Sequence, residues 1–425
     1  MRVTIITIGS QGDVQPYIAL GTGLQADGYD VCLATHANFE AIARDRGLEF
    51  YLIEGNPKEM LEAETGQALI ETGRNIVTHV RRLKTMANML IQQMLNDSWN
   101  ACQGTDVIVH SAFGFGSFYV AKKLGVPSIA AFHIPFTRTS AFPNVTMPQL
   151  RLGGFYNWFS YIFFEQLFWQ TFRSSINKWV QESLGLPRPP FMGDFGAMQK
   201  RGHPIIYGFS PTVLPKPPDW SESIHVTGYW FLDRQSNWQP PADLVDFLQS
   251  GPQPIYVGFG SMSNRNPEEV TEIVLKALDQ CKQRGIILTG WGGLSKADLP
   301  DHVFKIESIP FDWLFPQMSA IVHHGGAGTT AASLRAGIPS VIVPFFADQP
   351  FWGEQVFRLG VGTKPIHRKQ LSIERLSRAI NTAVNDKGMQ KRSAAIGERI
   401  RAEDGVATAV DIISSYITNG SIITS

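Results

Sequence analysis

Short apolar runs of strand length alternate with stretches of helical periodicity twice along this chain, and that rhythm leaves few folds open. In the first half the strand-length runs fall at 3–8, 31–34, 48–53, 106–110 and 128–132, with helical stretches at 16–25, 39–46 and around 67–99. In the second half they fall at 254–258, 285–289, 303–306, 320–323 and 340–343. Strands separated by helices predict parallel sheets covered by helices, the α/β class. At 425 residues the chain is too long for one ordinary core and predicts two domains. The expected division is 1–210, a linker over 211–241, and 242–404. Six prolines and few periodic apolar positions mark the linker, which holds one short strand at Ile224–Val226. Two Rossmann-like domains facing each other across a cleft follow from this pattern.

Composition excludes several partners. Lys and Arg number 37 and Asp and Glu number 37, so no electrostatic footprint for nucleic acid is present. The three cysteines, Cys32, Cys102 and Cys281, lie far apart and are odd in number. They offer neither metal-ligand spacing nor a disulfide framework, which favours a reducing compartment. The first strand begins at Arg2, leaving no room for a signal peptide. The stretch 155–172 is dense in Phe, Tyr and Trp, but Asn157, Ser160, Glu165, Gln166 and Gln170 make it a poor membrane span. The expectation is a cytoplasmic chain with peripheral contact to a membrane surface.

The segment from Ile321 to Thr330 carries the most chemistry. A strand-like run ends in His323-His324-Gly325-Gly326-Ala327-Gly328-Thr329 and opens into a helical pattern. Glycine lets backbone approach a ligand closely, and a helix N-terminus offers free N–H groups and a positive dipole end to an anion. His324 can add a hydrogen bond or a positive charge; Gly326, Ala327, Gly328 and Thr329 would supply amides and a hydroxyl. The bland alternative is a helix-starting turn with a core histidine. Asp348-Gln349, after a further apolar run, is a pair able to bind neighbouring hydroxyls. A phosphate cradle with a hydroxyl clamp suits a nucleotide-sugar and predicts a glycosyltransferase. Ser261, after Gly258-Phe259-Gly260, can close over the phosphates or cap the helix from 267. Trp291 between glycines can stack on a base or simply pack. With charge met by amides, dipole and His324, no metal is required, and no Asp-x-Asp or His cluster supplies one.

The first strand ends in Gly9-Ser10-Gln11-Gly12-Asp13. Ligands in open α/β sheets bind beyond the carboxyl ends of strands, so Asp13 points where a reacting group would sit, or it caps a helix. A dinucleotide fingerprint is absent: the glycines are only Gly9 and Gly12, and no carboxylate closes the second strand. A Walker A loop is absent as well, because no Lys follows Gly328. Beyond Phe132, the segment His133-Ile134-Pro135-Phe136 leads toward the aromatic stretch 155–172. Apolar positions there cover most of the helix circumference, more than core packing needs. His133 and Phe136 are the candidates for an apolar acceptor wall, a bilayer-dipping surface is the alternative for the excess, and ordinary core is the commoner role for such residues.

His324 to Thr329, followed by Pro344 and Asp348-Gln349-Pro350, resembles the donor signature of UDP-glycosyltransferases of the GT-B fold. Gly9-Ser10-Gln11-Gly12-Asp13-Val14-Gln15-Pro16, Val257 to Met262, and Pro135 to Thr139 resemble one branch of them, the sterol 3-beta-glucosyltransferases with the vancomycin-type antibiotic glycosyltransferases. The resemblance implies that Asp13 stands where plant and animal relatives carry a catalytic histidine. It implies that Ser308 and Ile309 offer backbone groups to a pyrimidine, although the tryptophan of plant members is missing from that turn, which leaves UDP against TDP open. It also implies that the helix beyond about 405 packs back on the first domain. The expected reaction is an inverting, metal-independent transfer of a hexose, glucose most simply, from a UDP-sugar to a hydroxyl of an apolar acceptor such as a sterol or other lipid. A polyketide- or peptide-type acceptor with a UDP- or TDP-sugar is the alternative within that reaction. A nucleotide-sugar 2-epimerase and a non-catalytic nucleotide-sugar binder are the alternatives outside it.

Overall fold

A computed structural model of the chain describes residues 1–55, 76–114, 116–259, 267–288 and 299–418. They fall into two compact units. The first takes Met1–Pro211, Lys216–Leu232 and the segment from Asp404 onward; the second takes Thr212–Pro215 and Asp233–Glu403.

The first unit is built on seven strands: β1 (Arg2–Ile6), β2 (Asp30–Thr35), β3 (Glu49–Leu52), β4 (Val107–His110), β5 (Ser128–Phe132), β6 (Ile205–Tyr207) and β7 (Ile224–Val226). They lie in the order β3-β2-β1-β4-β5-β6-β7, and every pairing is parallel. Helices cover both faces, so the central strands read as unbroken apolar runs rather than alternating ones. Ile5 pairs with Leu33 on one side and Val109 on the other, all fully buried. The helix Gln11–Ala26 lays Ile18, Leu20 and Leu24 on this layer, and the helix Gly405–Thr418 adds Ala409 and Ile413.

In the second unit β8 (Ile255–Gly258), β9 (Gly285–Leu288), β10 (Val303–Ile306), β11 (Ala320–His323) and β12 (Ser340–Ile342) form a parallel sheet in the order β10-β9-β8-β11-β12. Its core joins Val257, Ile287 and Val322 to Val270 and Val274 of the helix Pro267–Gln280 and Ile380 of the helix Ile373–Asn385. Both strand orders reverse once, at β1/β4 and at β8/β11. Those reversals are where a doubly wound sheet opens a crevice beyond its strand ends.

Three differences from the sequence reading have physical causes. The stretch 211–241 is not one linker: Lys216–Leu232 belong to the first unit, where β7 pairs with β6 and Trp220 and Trp230 are buried. β6, three residues long, was not expected. The first helix starts at Gln11 rather than Pro16, which brings Asp13 into its first turn. No described helix is long and apolar enough to cross a membrane.

The C-terminal helix touches the first one at Gly23. A Cβ added there would lie 2.4 Å from Val406 Cγ1, a short branched side chain with little room to yield. Gly23→Leu is therefore expected to destabilise the first unit by about 1–3 kcal/mol in urea denaturation. Adding Val406→Ala should recover part of the loss, and two independent, additive effects would disprove the contact.

Candidate active site

Asp13 is held by the turn that precedes it. Ser10 N–H and the Ser10 hydroxyl both donate to Asp13 Oδ2, at 2.8 and 2.9 Å, and Thr7 Oγ1 donates to the Asp13 carbonyl at 2.8 Å. The carboxylate lies so close over Gly9 that a Cβ there would sit 2.5 Å from Oδ2; Gly9 also takes φ +144°. Only glycine fits that position. One oxygen thus caps the helix. The other, Oδ1, lies 3.2 Å from Nε2 of His133, the residue that follows β5. Burial pushes the Asp13 carboxyl up, but the His133 hydrogen bond and charge and the Ser10 donors outweigh it and hold it below its usual range. Asp13 is a carboxylate at neutral pH, with 24 % of its side chain exposed.

Tyr17, one turn further along the helix, donates its hydroxyl to the Ala131 carbonyl and sets its ring edge-on to His133 at 6.4 Å. The loop after His133 is clamped in three places. Tyr207 Oη accepts from Phe136 N–H and Thr137 N–H at 3.1 and 2.7 Å. Asp219 accepts from Thr139 Oγ1 and from Ser140 N–H. Arg138 forms an ion pair with Glu165 of the helix Gly154–Glu182. Held this way, Phe136 stacks on Phe164 of the same helix at 5.9 Å and meets Phe132 edge-on. Phe113, in the loop after β4, approaches Phe168 at 6.5 Å. These rings, half-buried apart from the exposed Phe113, form an aromatic wall near the His133–Asp13 pair. Phe136 lies in it, and His133 turns its Nε2 to the carboxylate.

In the second unit β11 runs into Gly325, where φ is +90° and a Cβ would lie 2.8 Å from Ile342 Cγ2 and 3.0 Å from the Gln349 carbonyl. Gly326 is the N-cap of the helix Ala327–Ala336, so Ala327, Gly328 and Thr329 form its first turn with their N–H groups unused by the helix. A Cβ on Gly326 would meet His324 Nε2 at 2.5 Å, which places the imidazole directly over this turn. Burial pulls His324 down to about 4, against a backbone hydrogen bond to Gly258. Of the hydrogen bond and the positive charge open to this histidine, only the hydrogen bond remains at pH 7, where it is neutral. His323, which the sequence reading left without a role, is fully buried and its Nδ1 accepts the Gly325 N–H at 3.1 Å. It shapes the turn; its only sequence signal was a second histidine beside the first.

Asp348 and Gln349 stand at the start of the helix Gln349–Arg358, beside the glycine turn. Asp348 Oδ2 accepts from Trp352 Nε1 at 2.9 Å, while Gln349 Oε1 accepts from Phe345 N–H and Phe346 N–H at 2.8 and 3.3 Å. Ala347, just before Asp348, is held at φ +55°, a conformation costly for a residue with a Cβ. Ser308 and Ile309 follow β10, Ser308 exposed and Ile309 buried. Ser261 and Trp291 lie outside the described residues. Among the described residues no group of three or more His, Cys, Asp or Glu is placed to hold a metal ion.

Comparison with known proteins agrees with both halves. The glycosyltransferase family 28 N-terminal domain matches residues 3–143, and the erythromycin biosynthesis protein CIII-like C-terminal domain matches 278–413. Sterol 3-beta-glucosyltransferases of Emericella nidulans and Cryptococcus neoformans var. neoformans are each 39% identical over 97% of this chain. The chain spans only 30% and 27% of those proteins' own lengths. Among solved structures, the calicheamicin glycosyltransferase CalG4 aligns with a TM-score of 0.69 at 18% identity, covering 99% of both chains. The glycosyltransferase VinC in complex with dTDP aligns with a TM-score of 0.68 at 16% identity, covering 99% of this chain and 100% of that one. At such identities the likeness is one of fold.

The buried histidines predict a pH response. Burial pulls His323 down to about 3, and His324 further lowers it. In an unfolded chain each titrates near about 6.5. The folded state then binds fewer protons below that pH, so their contribution is complete above about 6.5 and is lost as pH falls toward 4 and 3. Unfolding free energy, from urea titrations between pH 7 and 4.5, should fall by up to about 1.4 kcal/mol per pH unit for each histidine. His323→Asn should flatten that slope; an unchanged slope would mean His323 is not neutral in the folded chain.

Proposed function

The chain belongs to the GT-B glycosyltransferases, in the branch of the sterol 3-beta-glucosyltransferases and antibiotic glycosyltransferases, and from that premise we propose that it transfers a hexose from a UDP-sugar to a hydroxyl of an apolar acceptor, a sterol or another lipid. The observation that carries the reading is the Asp13 carboxylate, fixed through Oδ2 by Ser10 and paired through Oδ1 with His133, near an aromatic wall.

In the proposed reaction the acceptor hydroxyl gives its proton to Asp13 as its oxygen bonds to the anomeric carbon. The bond from that carbon to the diphosphate breaks, and the configuration inverts. A carboxylate held below its usual range is a weak base toward an alcohol, so proton transfer comes late, as the new bond forms; such catalysis contributes roughly 10²–10⁴-fold. His133 Nδ1 is buried without a partner among the described residues, which leaves Nε2 as the working atom, and Nε2 faces Asp13. We assign His133 to holding the carboxylate through Nε2 rather than to taking the proton. The departing UDP is received by the amides of the Gly326–Thr329 turn, the helix dipole and the neutral His324. Preorganised donors of this kind are worth roughly 3–4 kcal/mol each, and the site needs no metal. Asp348 and Gln349 set the choice of hexose, with glucose the simplest fit to a carboxylate and an amide side by side.

Incubation with UDP-glucose and a panel of sterols, other lipids and one polyketide, in EDTA and read by mass spectrometry, should yield a hexosylated sterol or lipid. Asp13→Ala should lower turnover by about 10²-fold or more while UDP affinity, from calorimetry, stays within a few-fold. His133→Gln, which keeps a donor toward Oδ1, should retain more activity than His133→Ala. Full turnover in Asp13→Ala, or a strict need for magnesium, would refute the mechanism; sugar epimerisation without acceptor would refute the transfer.

A further inference from the structure

The helix Gly154–Glu182 has two differently employed sides. Phe164 and Phe168 meet Phe136 and Phe113 near the candidate site. Phe155, Phe159, Phe163 and Leu167 follow one another at four-residue spacing and are all exposed, Phe155 by 81 %. Four-residue spacing keeps them along one slowly winding ridge, about 18 Å long at the rise of an α-helix. Trp158 stands exposed beside it, and Phe155 and Phe159 stack on each other rather than on the body of the protein. The ridge continues at both ends. Leu150 and Leu152 are exposed before the helix, and Phe191 and Met192 are exposed where Trp169 Nε1 and Gln166 Nε2 hold their carbonyls at 2.8 and 2.9 Å. An apolar surface this continuous is uncommon on a chain that meets only water.

Charge indicates what covers it. Residues 150–173 carry two cationic side chains, Arg151 and Arg173, against the single acid Glu165; further along the helix Lys178 is offset by Glu182, 3.9 Å away. Glu165 is turned inward and paired with Arg138, so the ridge carries no negative charge. Arg151 precedes the helix, and Arg173 lies with its guanidinium over the Phe191 ring at 4.2 Å. An aromatic ridge with cationic ends and no acid matches the level between anionic headgroups and acyl chains. The helix is not apolar enough to cross a bilayer, so it would lie along the surface.

We propose that this ridge is a membrane-docking surface, seated in the interfacial layer of a bilayer that contains anionic lipid. Because the same helix presents Phe164 and Phe168 to the aromatic wall, docking sets that wall at the depth of the lipid's apolar portion. An acceptor then reaches Asp13 with less of its carbon skeleton passing through water. The consequence for the acceptor rests on the proposed transfer; the docking itself does not.

The test is flotation of the full chain with phosphatidylcholine vesicles, with and without about a third phosphatidylglycerol. The wild-type chain should float with the mixed vesicles and less with phosphatidylcholine alone. Phe155→Ser/Phe159→Ser should lose at least about ten-fold in vesicle affinity with an unchanged melting curve, because binding follows the apolar area inserted. Phe357→Ser, at an exposed phenylalanine of the second unit, should float as wild type. A double variant that floats as well as wild type, or a wild-type chain that floats with neither vesicle, would overturn the proposal. So would a dimer in sedimentation that the double variant dissolves, since a second copy would then cover the ridge. Transfer to an acceptor in detergent micelles is assayed alongside: the double variant should retain it. Its absence in the wild-type chain would count against the proposed reaction and leave the vesicle result standing.

Discussion

Every strand pairing in both sheets is parallel, and that constraint determines where chemistry can sit. In a parallel sheet each loop leaving a strand's carboxyl end emerges along the same edge. In the first unit that edge collects Asp13 after β1, Phe113 after β4 and His133 after β5. In the second it collects Ser308 after β10, the glycine turn after β11 and the Asp348 loop after β12. Residues more than a hundred positions apart become neighbours because the topology leaves their loops nowhere else to go. The His133–Asp13 pair is the clearest case, two loops meeting across the reversal between β1 and its neighbours.

The two units treat charge in opposite ways. In the first, a carboxylate is kept ionised by a short N-terminal turn that supplies two donors to one oxygen and by the His133 imidazole, after β5, at the other. In the second, burial strips the histidines of charge and leaves the amides of a helix end as the unused donors of the turn. Fixed amides cost no proton uptake and do not change with pH near neutrality. Glycines serve both arrangements: Gly9 makes space for Asp13, and Gly325 lets the turn fold against Ile342 and the Gln349 backbone.

Rigid support recurs around the candidate groups. Tyr207, Asp219 and Glu165 each hold a different point of the loop after β5, and Gln349 and Trp352 hold the loop around the left-handed Ala347. Sites held to within fractions of an ångström depend on such secondary contacts. The helix Gly154–Glu182 is both one of these supports and the carrier of the exposed aromatic ridge, so the inner aromatic wall and the outer surface are two sides of one element.

The sequence by itself determined the architecture. The βα rhythm placed every strand but β6, because buried parallel strands read as continuous apolar runs. It also determined the candidate groups at strand ends, since glycine-rich turns and a lone Asp after a strand are local signals. What only the tertiary structure decided were relations across the chain and the environments they create. The pairing of His133 with Asp13, the neutrality of His324, the role of His323 and the capture of Gln349 Oε1 by its own loop depend on burial and on partners distant in sequence or set by loop geometry. The assignment of Lys216–Leu232 to the first unit is of the same kind: prolines advertise a linker, but β7 needed β6 beside it before its backbone could be seen as part of a sheet.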